Sequence, residues 1–158
     1  WPCEDPEGLF GKWKVTATVD ICCEVVNDTL WFDYEYLVMW TSVTVDRSPP
    51  EYNHCHTVIV TVKFKSSAAQ IRHVLISALL KDELKTPVAL ALLDLDVEKT
   101  VYCSPKTYTY TLRLHVPQHA FAGVGYVHVN AFDKNPTVGG VPWCPEYTPL
   151  PQVWIQPY

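Results

Sequence analysis

The sequence contains one tight cluster of metal-binding side chains, His54-Cys55-His56. Imidazole and thiolate are good ligands for zinc and copper. Neighbouring side chains of an extended strand point to opposite faces, however, so only the two histidines could bind the same ion. The other four histidines are scattered along the chain and add no second cluster. We therefore predict no metal site and no cofactor, and we interpret Cys55 as a disulfide cysteine flanked by exposed histidines.

Two groups of carboxylates have a spacing that places them on one face of a strand. Asp94 and Asp96, with Glu98 nearby, could offer oxygens to calcium, but calcium needs about six to eight of them, often from a Gly-containing loop. Asp33 and Glu35 would lie about 7 Å apart, near the separation of the two carboxylates of a glycosidase. The sequence has neither a Gly-x-Ser-x-Gly nor a His-Glu-x-x-His motif. We expect solvated strand faces and no enzymatic activity.

Cysteine is frequent in this chain of 158 residues, which contains six. This content is typical of small secreted or cell-surface domains, because disulfides persist in oxidising compartments. Cys22 and Cys23 lack the two-residue spacer of a redox motif, and as strand neighbours they would bond different partners. The pairing stays open, although Cys103 and Cys144 are favoured because both lie in predicted loops beside the last strands. The predicted disulfide cysteines are Cys3, Cys22, Cys23, Cys55, Cys103 and Cys144.

Charge and hydropathy narrow the possible partners. The net charge is −5, which argues against nucleic acid, because phosphates attract clustered Lys and Arg. The longest apolar run, Ala120 to Val127, is far shorter than the roughly 18 residues of a membrane span. The chain opens Trp1-Pro2-Cys3, without Met or an apolar signal segment, and we interpret this as a processed, secreted N-terminus. The sequon Asn27-Asp28-Thr29 predicts a surface loop with a glycosylation site at Asn27.

Alternation of apolar and polar residues dominates the chain and indicates half-buried strands. It is clearest in Lys12–Val19, Thr57–Lys65, Thr107–Val116 and Gly125–Phe132. Further strands are predicted at Leu30–Asp46, Val88–Val97 and Val153–Gln156. Residues 67–84 fit a helix or a strand, and the surrounding strands favour a strand, whereas the proline-rich residues 133–151 predict a long loop. Seven or more strands separated by turns predict an all-β fold, an antiparallel β-sandwich.

Three stretches carry a resemblance to a known family: Thr57–Phe64, Thr109–Leu114 and Phe121–Ala131. Over residues 57–133 the chain resembles immunoglobulin-like sandwiches of the fibronectin-III and cell-adhesion-related type, which are common in bacterial and archaeal surface proteins. One residue departs from that family's pattern, since Tyr126 is out of phase with the valines that follow it. The resemblance implies an immunoglobulin-like fold on a cell surface.

Residues 1–46 lie outside this resemblance, so we divide the chain into an N-terminal strand extension, 1–46, and an immunoglobulin-like sandwich, 47–158. The additional strands could extend the chain's own sheets. Alternatively, the strand at residues 10–20 could leave its subunit and complete a sheet in a neighbour. Such a head-to-tail contact builds an open filament unless its rotation closes. The interface residues would then be Phe10, Trp13, Val15, Ala17 and Val19.

The leading hypothesis is an extracellular structural protein whose partners are copies of itself, joined by strand exchange into a filament. Several archaeal and bacterial surface pili resemble this arrangement. The alternative is a secreted monomeric adhesion or carbohydrate-binding module that binds surface glycans through Leu30–Trp40. On one strand, an apolar face of that length is more often core or subunit interface than an open sugar platform. The aromatic face would comprise Phe32, Tyr34, Tyr36, Val38 and Trp40, opposite Trp31.

Overall fold

The computed structural model describes residues 11–21, 24–34, 36–100 and 104–157, and in these residues the fold is all-β. The regular elements besides the strands are confined, over this part of the chain, to a short 3-10 helix at Pro136–Val138. The strands are β1 (Gly11–Ile21), β2 (Glu24–Tyr34), β3 (Val38–Val45), β4 (Glu51–Tyr52), β5 (Thr57–Ser66), β6 (Arg72–Lys81), β7 (Pro87–Val97), β8 (Lys106–His115), β9 (Gly123–Phe132) and β10 (Gln152–Ile155).

Eight of these strands form two sheets that pack face to face. The larger sheet has the order β4-β10-β9-β6-β7 and the smaller sheet the order β3-β5-β8. Neighbouring strands run antiparallel except β10 and β4, which are parallel. A single cluster of buried apolar residues takes members from both sheets. The predicted antiparallel β-sandwich is therefore confirmed.

The alternation seen in the sequence produces the core. On β5, Val58, Val60, Val62 and Phe64 are fully buried, while the residues between them are partly or fully exposed. The Phe64 ring stacks on two tyrosine rings of the adjacent β8 and meets Trp40 of β3 edge to face. Each such side chain contributes roughly 1.5–3 kcal/mol when it leaves water. The three strands of the smaller sheet are thus joined by one aromatic cluster as well as by their ladders.

Residues 67–84, which fitted two types of element, contain a strand, β6 (Arg72–Lys81), and no helix. It lies inside the larger sheet, paired with β7 on one side and β9 on the other. Its inward positions Val74, Ile76, Ala78 and Leu80 are fully buried. In a helix these four side chains would not all point the same way, so they could not all face the core. The alternating pattern therefore decides the structure, and the helical spacing does not.

The boundary predicted between residues 46 and 47 is wrong. Strand β3 pairs with β5 along most of its length, and Leu37 and Val38 are fully buried, so the sandwich already begins near residue 37. The predicted strand Leu30–Asp46 is two strands, with β2 ending before this point. The single aromatic face predicted for Phe32 to Trp40 is wrong for the same reason, because its residues belong to different sheets.

The loop predicted at residues 133–151 contains no strand and follows the edge of β9. Single backbone hydrogen bonds replace a ladder: Trp143 N–H donates to Ala131 O, and Tyr147 N–H donates to Val129 O. The Trp40 indole donates to Pro145 O at 3.1 Å, which ties the loop to the smaller sheet. Among the described residues, no helix has the length and apolar character needed to cross a lipid bilayer.

Replacing Phe64 by Ala should destabilise the sandwich by about 3–5 kcal/mol, because the cavity would lie among rings that cannot close over it. Equilibrium unfolding in urea, followed by circular dichroism, measures the difference. Phe121→Ala serves as the control, since this ring is 57% exposed and its loss should change stability by less than about 0.5 kcal/mol. Equal effects of the two variants would contradict the central role of Phe64.

Candidate functional site

Strands β1 and β2 form a two-stranded antiparallel sheet of their own, here called the ribbon (residues 11–21 and 24–34). Their register places Val15 opposite Leu30 and Thr16 opposite Thr29. Within the described residues, neither strand pairs with a strand of the sandwich. The strand that we predicted to complete a sheet in a neighbouring subunit, residues 10–20, is paired with β2 over its described residues in this single chain. The element that projects from the sandwich is a ribbon and not a single strand.

The ribbon is amphipathic. Directly opposed residues share a face, so Val15, Leu30, Val19 and Val26 lie on one side, each between 45% and 65% exposed. The other side is polar and internally bonded, apart from Trp31 and Val25. There Thr18 Oγ1 donates to Asn27 Oδ1 at 2.7 Å, and the Lys14 ammonium lies 5.7 Å from the centre of the Trp31 ring. The ribbon thus presents a mainly apolar face, interrupted by Asp28 opposite Ala17, that the described part of the sandwich leaves uncovered.

The predicted interface residues fall on this apolar face where the structure describes them. Val15, Ala17 and Val19 are exposed. Trp13 lies in β1 and pairs with Phe32 in the backbone register, whereas Phe10 lies outside the described residues. Asn27 is exposed but lies in β2, not in the predicted loop, because Val25 and Val26 continue the strand that the sequon seemed to interrupt.

The larger sheet ends in an open, apolar edge. Over the described residues, β7 has β6 as its strand partner and none on its other side. Leu90 and Leu92 point outward and are 61% and 51% exposed, and inward-facing Ala91, Leu93 and Leu95 are only partly buried. A free edge of this kind can accept a further strand.

In the part of the chain that the structure describes, the catalytic and metal-binding candidates do not gather into one metal site. His73 lies between the two carboxylates of β7, with Nε2 3.2 Å from Asp94 Oδ1 and Nδ1 3.3 Å from Asp96 Oδ1. Glu98 Oε2 lies 2.6 Å from Lys106 Nζ. Across the described residues, no three His, Cys, Asp or Glu side chains are grouped to hold a metal ion. Glu35 lies outside the described residues.

Cys55 and Cys144 are free thiols, which corrects the disulfide prediction for these two residues. Cys55 is exposed in a turn with φ of 64°, where its N–H donates to Val116 O at 2.8 Å. Cys144 is enclosed by the core next to Trp40 and Ala131, and burial raises the pKa of its thiol to about 12. Packing therefore holds the loop where a disulfide was expected. Four further predicted disulfide residues lie outside the described residues: Cys3, Cys22, Cys23 and Cys103.

A groove that the sequence analysis did not single out lies where β4, β10 and β9 meet. Its volume is about 240 Å³. Trp154 of β10 is 45% exposed beside it, between Glu51 of β4 and Val124 of β9 in the strand register. Gln152 also lines it and pairs with Tyr126. Val153–Gln156 was predicted as a strand, but only the three-strand arrangement brings these side chains together.

The short strand β4 is held in place by Tyr52, which is fully buried. Its hydroxyl donates to Asp46 Oδ1 at 2.7 Å, and Ile59 N–H donates to the same oxygen at 2.9 Å. The Arg47 guanidinium lies 4.7 Å from the centre of the Tyr52 ring. Burial raises the pKa of Asp46, but the hydrogen bonds from Tyr52 and Ile59 outweigh it, so the net pKa is lowered. Burial and the Asp46 carboxylate raise the pKa of Tyr52.

No family model matches this chain, and no curated protein matches it in sequence. Among solved structures it is similar to the C-terminal domain of Wzt, with 9% identity over 78% of this chain and 76% of that chain and a TM-score of 0.56. It is also similar to the Pseudomonas fluorescens alkylpurine DNA glycosylase AlkC bound to DNA containing an abasic site analog. There the identity is 10%, the TM-score is 0.52, and 78% of this chain spans 31% of that chain.

A β-glucosidase from Listeria innocua is less similar, with 16% identity, a TM-score of 0.47 and coverage of 78% of this chain and 16% of that chain. The chain therefore spans less than a third of the glycosylase and about a sixth of the glucosidase. At these identities, the likeness to Wzt and AlkC shows the fold alone.

The two described cysteines should react very differently with iodoacetamide. At about pH 8 we expect Cys55 to be alkylated in the native, unreduced protein, whereas Cys144 stays protected because it is buried and protonated. Unfolding in guanidinium chloride without reductant should then expose Cys144 to the reagent. Peptide mass mapping reads both sites. A Cys144 that reacts only after a reductant is added would show a disulfide instead.

Asp46→Asn should lower the free energy of unfolding by about 0.5–1 kcal/mol at pH 7. The hydrogen bonds from Tyr52 and Ile59 would then reach a neutral amide oxygen instead of a charged, exposed carboxylate, and they would be weaker. A lowered folded pKa stabilises the protein above the unfolded pKa, and this contribution is lost as the pH falls below the usual 3.8. The difference between wild type and variant should therefore shrink between pH 7 and pH 3 in urea unfolding. The control is Asp20→Asn on the ribbon, and a difference for Asp46→Asn that is independent of pH would contradict the assignment.

Proposed function

We propose that this protein is an extracellular structural subunit that assembles with copies of itself, and that the ribbon is the element that joins them. The observation that carries the proposal is the ribbon's uncovered apolar face, built from Val15, Val19, Val26 and Leu30. We propose further that the sandwich is of the immunoglobulin-like type and works at a cell surface. The six cysteines of the chain favour an oxidising compartment.

A two-stranded ribbon with one apolar face is marginally stable in water by itself. Contiguous exposed apolar side chains of this kind mark surfaces that are covered by a partner. The polar face is satisfied internally by the bond from Thr18 to Asn27 and the contact of Lys14 with Trp31. A partner would therefore cover the opposite, apolar face.

A second copy of the chain offers a matching surface in β7. This open edge has eleven residues, as do both strands of the ribbon. Addition of a ribbon strand would satisfy its free backbone groups, and the apolar side chains of the ribbon would lie beside those on one face of β7. The ribbon of one subunit would bind the edge of the next. This contact joins two different surfaces, so repetition builds an open chain of subunits unless it closes.

A double substitution on the apolar face, Val15→Asp with Leu30→Asp, should abolish self-association, because two carboxylates would have to be buried unpaired in the contact. The matched control is Thr16→Asp with Thr29→Asp, which adds the same charge to the adjacent pair on the polar face. Light scattering after size-exclusion chromatography gives the mass, and negative-stain microscopy shows whether filaments form. We expect the control to assemble like the wild type.

The acceptor edge is tested by Leu92→Lys, since a lysine on an edge strand opposes the addition of another strand. Its control is Leu84→Lys, which changes an equally exposed leucine in the turn before β7. Only the first variant should reduce assembly. A wild-type protein that stays monomeric at every concentration, or an apolar-face variant that assembles normally, would overturn the proposal.

A further inference from the structure

The groove at Trp154 lies on the outer face of the larger sheet. Strand β6 separates its three strands, β4, β10 and β9, from the open edge at β7. Inward-facing Val153 and Ile155 are buried, which leaves Gln152 and Trp154 on the outer face. Tyr126 and Val124 of β9 lie on the same face, opposite these two residues in register. Trp154 and Tyr126 are therefore diagonal neighbours, close enough for one ligand to touch both rings.

Both aromatic rings are accessible to a ligand. Trp154 is 45% exposed and Tyr126 is 38% exposed. Large aromatic side chains gain most when they are covered. Pro49 and Pro50 form an apolar wall beside Trp154. The main-chain N–H of Trp154 donates to Pro50 O at 2.7 Å. The backbone beneath the ring is thus held firmly while the ring itself is left open.

The polar groups at the groove are a carboxylate and an amide. Glu51 and Gln152 both line it and both are exposed. The Glu51 carboxylate accepts hydrogen bonds, and the Gln152 amide both accepts and donates them. A ligand rich in hydroxyl groups can bond both, because each hydroxyl can donate and accept. The carboxylate disfavours an anionic ligand. A few polar groups around an apolar surface are the usual composition of a small-ligand site.

We propose that this groove binds a neutral pyranose ring, as part of a surface polysaccharide. One face of a pyranose presents C–H groups that pack on an aromatic ring, while its edge presents hydroxyls. The Trp154 ring in the groove would cover the C–H face, the Tyr126 ring beside the groove would contact the continuing chain, and Glu51 and Gln152 would bond the hydroxyls. The groove's volume of about 240 Å³ suits one sugar unit with the chain continuing beyond it. This binding is independent of assembly through the ribbon.

The test is affinity electrophoresis of the full chain in gels that contain neutral polysaccharides: a β-glucan, a xylan, a mannan and a galactan. We expect retardation by at least one of them. Trp154→Ala should weaken it about tenfold or more, as loss of a central aromatic anchor does, and Trp154→Phe should restore part of it. The control, Trp31→Ala, removes a still more exposed indole, 63% accessible, from the polar face of the ribbon and should change nothing.

The thermal midpoint of each variant separates loss of binding from loss of fold, and Gln152→Ala offers a second variant with little risk to folding. Migration unaffected by all four polysaccharides would overturn the proposal. Equal retardation of wild type and Trp154→Ala would overturn it as well. Binding of a proline-rich peptide without any polysaccharide would assign the groove to a different class of ligand and would also reject it.

Discussion

The apolar core that β5 of the smaller sheet and β6 of the larger sheet share is the feature on which the rest of the molecule depends. Strand β5 is the central strand of its sheet and β6 is one of the inner strands of the other, and each presents an unbroken row of fully buried apolar side chains to the core. Since backbone groups in the sheet interiors are paired and the side chains between them exclude water, both strands are held in one register. The strands β3 and β8 pair with β5, and β7 and β9 pair with β6, so their positions follow from these two strands. Phe64, stacked with the aromatic rings of β8, extends the constraint to the edge of the smaller sheet.

The two sheets are unequal, and this inequality leaves surfaces incomplete. Five strands face three, so the larger sheet has an outer strand whose inner face is covered only in part. At one side this produces the open edge of β7 with its half-buried leucines. At the other side the inward residues of β4 and β10 are buried in the core, and the groove beside Trp154 lies on the outer surface of these strands. The ribbon adds a third incomplete surface. The proposals for assembly and for sugar binding concern different sides of this one arrangement.

The long loop before β10 shows how packing can replace covalent bonds. Its proline content prevents a ladder, yet single hydrogen bonds to β9 and the Trp40 indole hold it in place. Cys144 is buried there as a small apolar residue with its thiol protonated. The short strand β4 is secured in a similar way by Tyr52 and Asp46. Polar side chains with several hydrogen bonds therefore anchor the segments that are too short or too irregular to pair as strands.

The sequence by itself determined the strands whose side chains alternate: β5, β7, β8, β9 and most of β1. Alternation is a local property, because each residue's face follows from its neighbours along the strand. The phase of Tyr126, exposed between buried residues, followed in the same way. In β6 the helical spacing and the strand alternation overlapped, and the strand was favoured because strands were predicted on both sides of it. What only the tertiary structure decided was which strands meet: the break between β2 and β3, the pairing of β1 with β2, the free thiols and the groove at Trp154. The thiols and the groove depend on contacts between residues far apart in the chain, and the hairpin of β1 with β2 and the break after β2 depend on which strands the sandwich accepts; spacing along the sequence records neither.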